Sequence, residues 1–216
     1  MKIRTEEEFQ DEVDKETSWR KKELFAINSN IATARNSARE TALRAGIALL
    51  YAHWEGLIKN IATYYLCYVS FQKHTYAELK PNFLALSIKE KLRGFDESNK
   101  STRHNQIIKD VRELENQKSK IPYENIIKTN SNLKSDIFIE IMETIGLDYA
   151  SYCTDFVLLD ETLLKMRNEI AHGEYTAQIS LDKDRFNEIY QVITKMMNMF
   201  VNQVCNAVVQ KEYLKK

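Results

Sequence analysis

An apolar seam with alternating steps of four and three constrains this chain more than any other feature. Leu43, Ile47, Leu50, Trp54, Leu57, Ile61, Tyr64, Tyr68 and Phe71 keep that spacing without a break. Only an α-helix brings residues three and four apart onto one face. The seam persists for about eight turns, so this helix must lie against neighbours along most of its length. Ser37-Ala38-Arg39-Glu40 has the capping-box pattern and predicts where it starts. Ala48 and Ala52 form an adjoining stripe on which small side chains let another helix approach, and Glu55 and Lys59 continue that stripe. A second long seam, Phe186, Tyr190, Ile193, Met197, Phe200, Val204 and Ala207, lies near the C-terminus. Ser180, Asp182 and Asp184 suit its N-terminus. The basic stretch Lys211 to Lys216 is expected either to complement the end of that helix or to fray.

Weaker signals fill the intervening chain. Thr5-Glu6-Glu7-Glu8 is another capping box and predicts a charged helix running towards Phe25, with an irregular apolar face of Phe9, Val13 and Trp19. Phe83 to Leu92 reads as helix, as do Ile107, Ile108, Val111 and Leu114, with the polar stretch Asp96 to Asn105 between them. Beyond Pro122 and the polar run Lys128 to Asn132, Ile137, Ile141 and Ile145 predict a helix stopped by Gly146. A short helix from about Asp160 to His172 follows, with Leu159, Leu163, Met166 and Ile170 inward and Gly173 as the residue that ends it. Five glycines and two prolines are too few for a many-stranded sheet. The expectation is an all-α fold: an antiparallel helical bundle centred on the two long helices and the short Asp160 helix. Residues 1–216 read as one domain, with 1–36 an N-terminal helical extension and 95–130 an inserted or mobile segment.

Thirty-one basic and 31 acidic residues cancel, so overall charge offers no sign of nucleic-acid binding, although a local basic patch would suffice for it. Cys67, Cys153 and Cys205 are far apart and belong to no metal-ligand spacing. Free thiols in a reducing compartment are the plain reading. Phosphate-binding glycine loops, nucleophile elbows and paired metal-ligating histidines are missing, so neither metal nor cofactor is expected. The acidic N-terminus does not resemble a signal peptide. The apolar region Leu43 to Phe71 is interrupted by Arg44, His53, Glu55, Lys59 and Asn60, which argues against a membrane span. A cytoplasmic location is expected.

The chemistry concentrates at Arg167-Asn168-Glu169-Ile170-Ala171-His172-Gly173. On a regular wheel at ~100° per residue, Asn168 and His172 fall opposite the apolar stripe and Arg167 lies between. Carbonyls at a helix C-terminus favour an imidazolium at His172 and suit it to proton transfer near neutral pH. The Arg167 guanidinium can grip a phosphate and stabilise charge on its oxygens. Asn168 can orient either group. These parts fit cleavage of RNA by its own 2′-hydroxyl, a scheme with no metal in it. Arg167 and His172 diverge by about 140°, so two copies facing across a two-fold axis would surround one phosphate better than one copy. That geometry predicts a homodimer.

This segment resembles the Rx4-6H motif of the HEPN superfamily, and His53-Trp54-Glu55-Gly56-Leu57-Ile58-Lys59 resembles the early helix of stand-alone prokaryotic members. The resemblance spans roughly residues 38 to 210. It implies a helical bundle, a metal-independent endoribonuclease with a dimeric site, and a toxin or antiphage-defence role with an antitoxin or defence-system partner. It also implies that an upstream polar residue assists the motif, and Glu55 is the candidate. HEPN toxins paired with a nucleotidyltransferase commonly carry a tyrosine two residues after the histidine. That position here is Glu174, with Tyr175 next, so inhibition by adenylylation at this site is not expected.

Plainer readings stand beside these. His172 before Gly173 suits an ordinary helix cap, Arg167 could pair with Asp160 or Glu169, and Glu55 could pair with Lys59. Trp54, Tyr64, Tyr65 and Tyr68 read as core. Arg35, Arg39 and Arg44 read as a solvated face, with an RNA-guiding surface as the alternative. The rival function is a non-catalytic HEPN-like module that binds a nucleotide or a protein partner, and a ligand-free scaffold dimer ranks behind it.

Overall fold

The computed structural model describes residues 1–96, 99–174 and 181–215, except for the side chains of residues 90–96. Its elements are α1 (Glu6–Thr33), α2 (Asn36–Phe71), α3 (Pro81–Asp96), α4 (Ser101–Glu115), α5 (Ser135–Ile145), a 3₁₀ segment (Ala150–Asp155), α6 (Phe156–Leu158), a π-helical turn (Leu159–Leu164), α7 (Lys165–Ala171) and α8 (Lys183–Val209). The fold is all-α. Two isolated backbone bridges, Thr75 with Lys118 and Leu79 with Leu214, are present, and there is no strand among the described residues.

The long seam behaves as its spacing requires. Leu43, Ile47, Leu50, Trp54, Leu57, Ile61 and Tyr68 are buried, while Tyr64 and Phe71 pack against the core from its edge. Helix α1 runs antiparallel to α2, with Ile31 beside Gly46 and Arg20 beside His53. Helix α8 returns along α2 in the same direction, with Phe186 beside Gly46 and Tyr213 against Tyr68. A Cβ on Gly46 would stand 2.7 Å from Ile31 Cδ1 and 2.8 Å from Phe186 Cε2. Gly46 thus permits the three long helices to converge.

Three local expectations are corrected. Helix α2 starts at Asn36, ahead of Ser37, and no side chain caps it, so the second capping box does not form. The first box does form: Thr5 accepts from Glu8 N at 3.1 Å and Glu8 Oε2 accepts from Thr5 N at 3.3 Å. Helix α1 then continues past Phe25 to Thr33, and its buried face is irregular because Glu16, Thr17 and Arg20 occupy the inward positions while Trp19 stays 48 % exposed. The third correction concerns the C-terminus. Lys80 N donates to Tyr213 O at 2.9 Å and Lys215 N to Glu78 O at 2.8 Å, which ties residues 213–215 to the entry of α3. Tyr213 is buried, so this end does not fray as far as residue 215.

Between α2 and α5, the polar stretch Asp96 to Asn105 contains the end of α3 and the start of α4 at Ser101. Gly146 ends α5 in the left-handed region, with φ +72°, as expected for a residue without Cβ. Asp182 caps α8 by accepting from Arg185 N at 2.8 Å. No helix among the described residues is long and apolar enough to cross a membrane.

Candidate active site at the junction of α2 and α7

The short helix predicted from Asp160 to His172 is continuous but not regular. Its first part, Leu159–Leu164, is a π turn, and α7 proper starts at Lys165. A π turn takes one more residue than an α turn to come round, so everything after it is set back on the wheel. Leu159, Leu163 and Met166 remain buried. Arg167, placed by a regular wheel beside the apolar stripe, instead lies over the ring of Tyr51 on α2, its guanidinium carbon 4.6 Å from the ring centroid.

That guanidinium is half-buried and donates through Nη1 to Asn168 Oδ1 at 2.8 Å. Among the described residues it has no carboxylate partner. Asp160, one alternative partner, instead accepts from Ser135 N at 2.8 Å and from the Ser135 hydroxyl, capping α5 from outside that helix. Glu169, the other, keeps Oε2 buried and without a hydrogen bond. Arg167 therefore retains N–H donors for an external acceptor.

Tyr51, fully buried, is the residue that sequence reasoning missed. Its hydroxyl accepts from Leu133 N at 2.6 Å, and the Leu133 carbonyl accepts from Trp54 Nε1 at 3.4 Å. The segment before α5 is thereby tied to two side chains of α2. Burial pushes the Tyr51 phenol well above its ordinary value; the Leu133 N–H and Arg167 oppose this, and Glu55 adds to it. At neutral pH Tyr51 is a neutral ring with its hydroxyl anchored. Glu55, one turn further along α2, is half-buried and stands near this hydroxyl. The i,i+4 spacing of Tyr51 and Glu55 was a readable signal that the two share a face.

His172 is the C-cap of α7. Gly173 N donates to Ile170 O at 3.1 Å and Glu174 N to Glu169 O at 3.0 Å, a Schellman closure with Gly173 at φ +73°. The imidazole is exposed and makes no hydrogen bond or ion pair with the described residues. The structure thus brings Arg167, Asn168, Tyr51 and Glu55 together, while His172, exposed at the end of the same helix, makes no hydrogen bond with them among the described residues. Tyr175 lies outside the described residues.

A second polar cluster lies between α1 and α2. Arg20 binds Glu16 Oε1 through Nε at 2.9 Å and Nη2 at 2.5 Å, and its Nη1 stands 3.2 Å from His53 Nδ1. Asn60 Nδ2 also donates to Glu16 Oε1, at 2.7 Å. Burial, then the Arg20 charge, lowers the His53 pKa from its usual value. His53 Nε2 is 2.9 Å from Glu23 Oε2 but off the hydrogen-bond axis, so that nitrogen has no aligned partner. Gly56 makes the cluster possible, because a Cβ there would stand 2.7 Å from Arg20 Nη2. Arg20 also borders a groove of about 350 Å³ between α1, α2 and α8, lined by Phe25, Leu57, Tyr190 and Met197. This groove is lined by none of the residues from Arg167 to Gly173, so it does not coincide with the candidate residues on α7.

Arg39, one of the three arginines on the α2 entry, donates through Nε to Ala34 O at 2.9 Å and so helps close the α1–α2 turn. Among the described residues, no group of three His, Cys, Asp or Glu side chains could hold a metal ion.

No curated protein and no solved structure matches the chain. A family model described as RiboL-PSP-HEPN matches residues 15–206, from the middle of α1 to the last turn of α8 and across every candidate residue, and the chain therefore belongs to this HEPN family.

Proposed function

We propose that this protein is a metal-independent endoribonuclease in which Arg167 binds the scissile phosphate and His172 moves the proton. The observation that carries this reading is the state of Arg167: stacked on Tyr51, braced by Asn168 and, among the described residues, without a carboxylate to neutralise it. A half-buried cation of that kind is ready for an anion with paired acceptors, and a phosphodiester is such an anion. The ribose 2′-oxygen attacks phosphorus as its proton leaves, the bond from phosphorus to the 5′-oxygen breaks, and the leaving oxygen takes up a proton. The products are a 2′,3′-cyclic phosphate and a 5′-hydroxyl end. His172 serves as acid or base in this exchange, and Arg167 stabilises the developing charge. Asn168 and Glu55 hold the surrounding polar groups in place.

A homodimer completes the proposal. On an ideal helix Arg167 and His172 diverge by about 140°, which argues against one copy closing around a phosphate. The α2 stripe of Ala48, Ala52, Glu55 and Lys59 supports pairing with a second copy, since Ala52 and Lys59 on it are exposed and Ala48 is only half-buried. In the cell such an activity suits a toxin or antiphage-defence effector held in check by a partner.

His172, exposed and without a hydrogen bond to the Arg167 cluster among the described residues, leaves room for one rival, a HEPN module that binds a nucleotide or a protein without cleaving RNA. Expression of wild type and His172→Ala in bacteria, with growth and total RNA compared, distinguishes the two. The nuclease reading expects RNA fragments with cyclic-phosphate ends only from wild type, formed equally in EDTA. Equal cleavage by the purified His172→Ala protein would remove His172 from the mechanism, and intact RNA with wild type would favour the binding module.

A further inference from the structure

We infer that Tyr51 is the positioning residue of this site, a fixed aromatic platform that orients the Arg167 guanidinium before any substrate arrives. The inference rests on the ribonuclease reading for its effect on catalysis, but its geometry stands apart from it. A long arginine side chain at a surface ordinarily samples many rotamers, and that freedom is lost on binding. Here the guanidinium carbon is 4.6 Å from the Tyr51 centroid. The ring beneath it is 1 % exposed. At that distance the face of the ring attracts the cation and restricts it to one plane.

The platform itself is held in place. The Tyr51 hydroxyl accepts from Leu133 N at 2.6 Å, which stops the ring from swinging out, and Leu133 is itself buried and bonded to Trp54. Asn168 then sets the guanidinium within its plane by accepting from Nη1. The edge away from Asn168 keeps its donors. Glu55 stands near the Tyr51 hydroxyl and is not paired to Arg167, so the cation keeps its charge for the substrate. Orientation set in advance lowers the reorganisation needed at the transition state, so loss of the platform should act on kcat more than on KM.

Two measurements test this. Steady-state cleavage of a fluorophore-quencher single-stranded RNA is compared for wild type, Tyr51→Phe and Tyr51→Leu. In parallel, the Arg167 Nε–H signal is followed in protein labelled with ¹⁵N-arginine and assigned by its loss in Arg167→Lys. The ring should displace the Arg167 signal from its position in urea-unfolded protein, Tyr51→Phe should retain the displacement, and Tyr51→Leu should abolish it. Tyr51→Leu should lower kcat about 10- to 100-fold with KM little changed, and Tyr51→Phe should recover most of that loss. A folded Tyr51→Leu protein with wild-type kcat overturns the proposal. So does an Arg167 signal that is undisplaced in wild type, a result that stands even if Tyr51→Leu fails to fold. A displaced signal in a wild-type protein that cleaves no RNA supports the platform and removes the ribonuclease reading alone.

Discussion

Each of two flanks of α2 meets an arginine that lies over an aromatic ring, Arg20 from α1 and Arg167 from α7, and the two are paired in opposite ways. On the α1 side, Arg20 lies 4.4 Å from the Trp19 ring centroid, is 5 % exposed, and has its donors engaged by Glu16 and His53. On the α7 side, Arg167 lies at a similar distance from Tyr51, but it is half-buried and, among the described residues, donates only to the neutral Asn168 oxygen. A cation and carboxylate that satisfy each other inside a bundle form a closed unit, which holds α1 in register on α2. A cation braced by a ring and an amide is held in place while its charge stays available. On the roles proposed here, chemical type does not separate a structural arginine from a functional one; the presence or absence of an internal anion does.

The comparison can be broken most decisively at Arg20. Arg20→Ala leaves the Glu16 carboxylate buried without its cation and is expected to destabilise the fold by about 3–5 kcal/mol, measured by urea unfolding. Cleavage per folded molecule should be unchanged. Arg167→Ala should do the reverse, lowering kcat about 10²- to 10³-fold while the unfolding midpoint moves little. If the two variants exchanged these phenotypes, the assignment of roles to the two flanks would fail.

Smaller effects sharpen the picture. Gly56→Ala sets a methyl group against Arg20 Nη2 and should cost about 1–3 kcal/mol as the guanidinium is displaced from Glu16, read from the same unfolding curves. The mildest effect concerns pH. His53 is held neutral by burial and by Arg20, so its folded pKa lies below the unfolded one. The unfolded chain then binds a proton more readily, and stability present above about pH 6.5 declines as pH falls through the folded pKa. Melting temperature should drop between pH 7 and pH 5.5, and His53→Gln should flatten that slope. The groups facing His53 are Trp19, Arg20, Glu23 and, through Arg20, Glu16. A slope of equal steepness in His53→Gln would assign the pH response to the carboxylates instead.

Sequence by itself determined the helical nature of the fold, because a seam that keeps steps of four and three from Leu43 to Phe71 has one regular backbone that can bury it. It also determined the stops at Gly146 and Gly173, where the chain needs φ values that side chains with Cβ resist, and it marked Arg167, Asn168, His172 and Glu55 as candidates. Tertiary structure alone decided which of those residues meet. The π turn at Leu159–Leu164 has no signature in residue spacing, yet it sets α7 back on its axis, and Arg167 lies over Tyr51 while His172 is exposed. Tyr51 does not stand out in the sequence, because the guanidinium it meets is more than a hundred positions away in the chain. Arg20 was hidden for the same reason: its polar partner His53 lies on another helix, and periodicity reports only which face of a helix points inward, never what waits there.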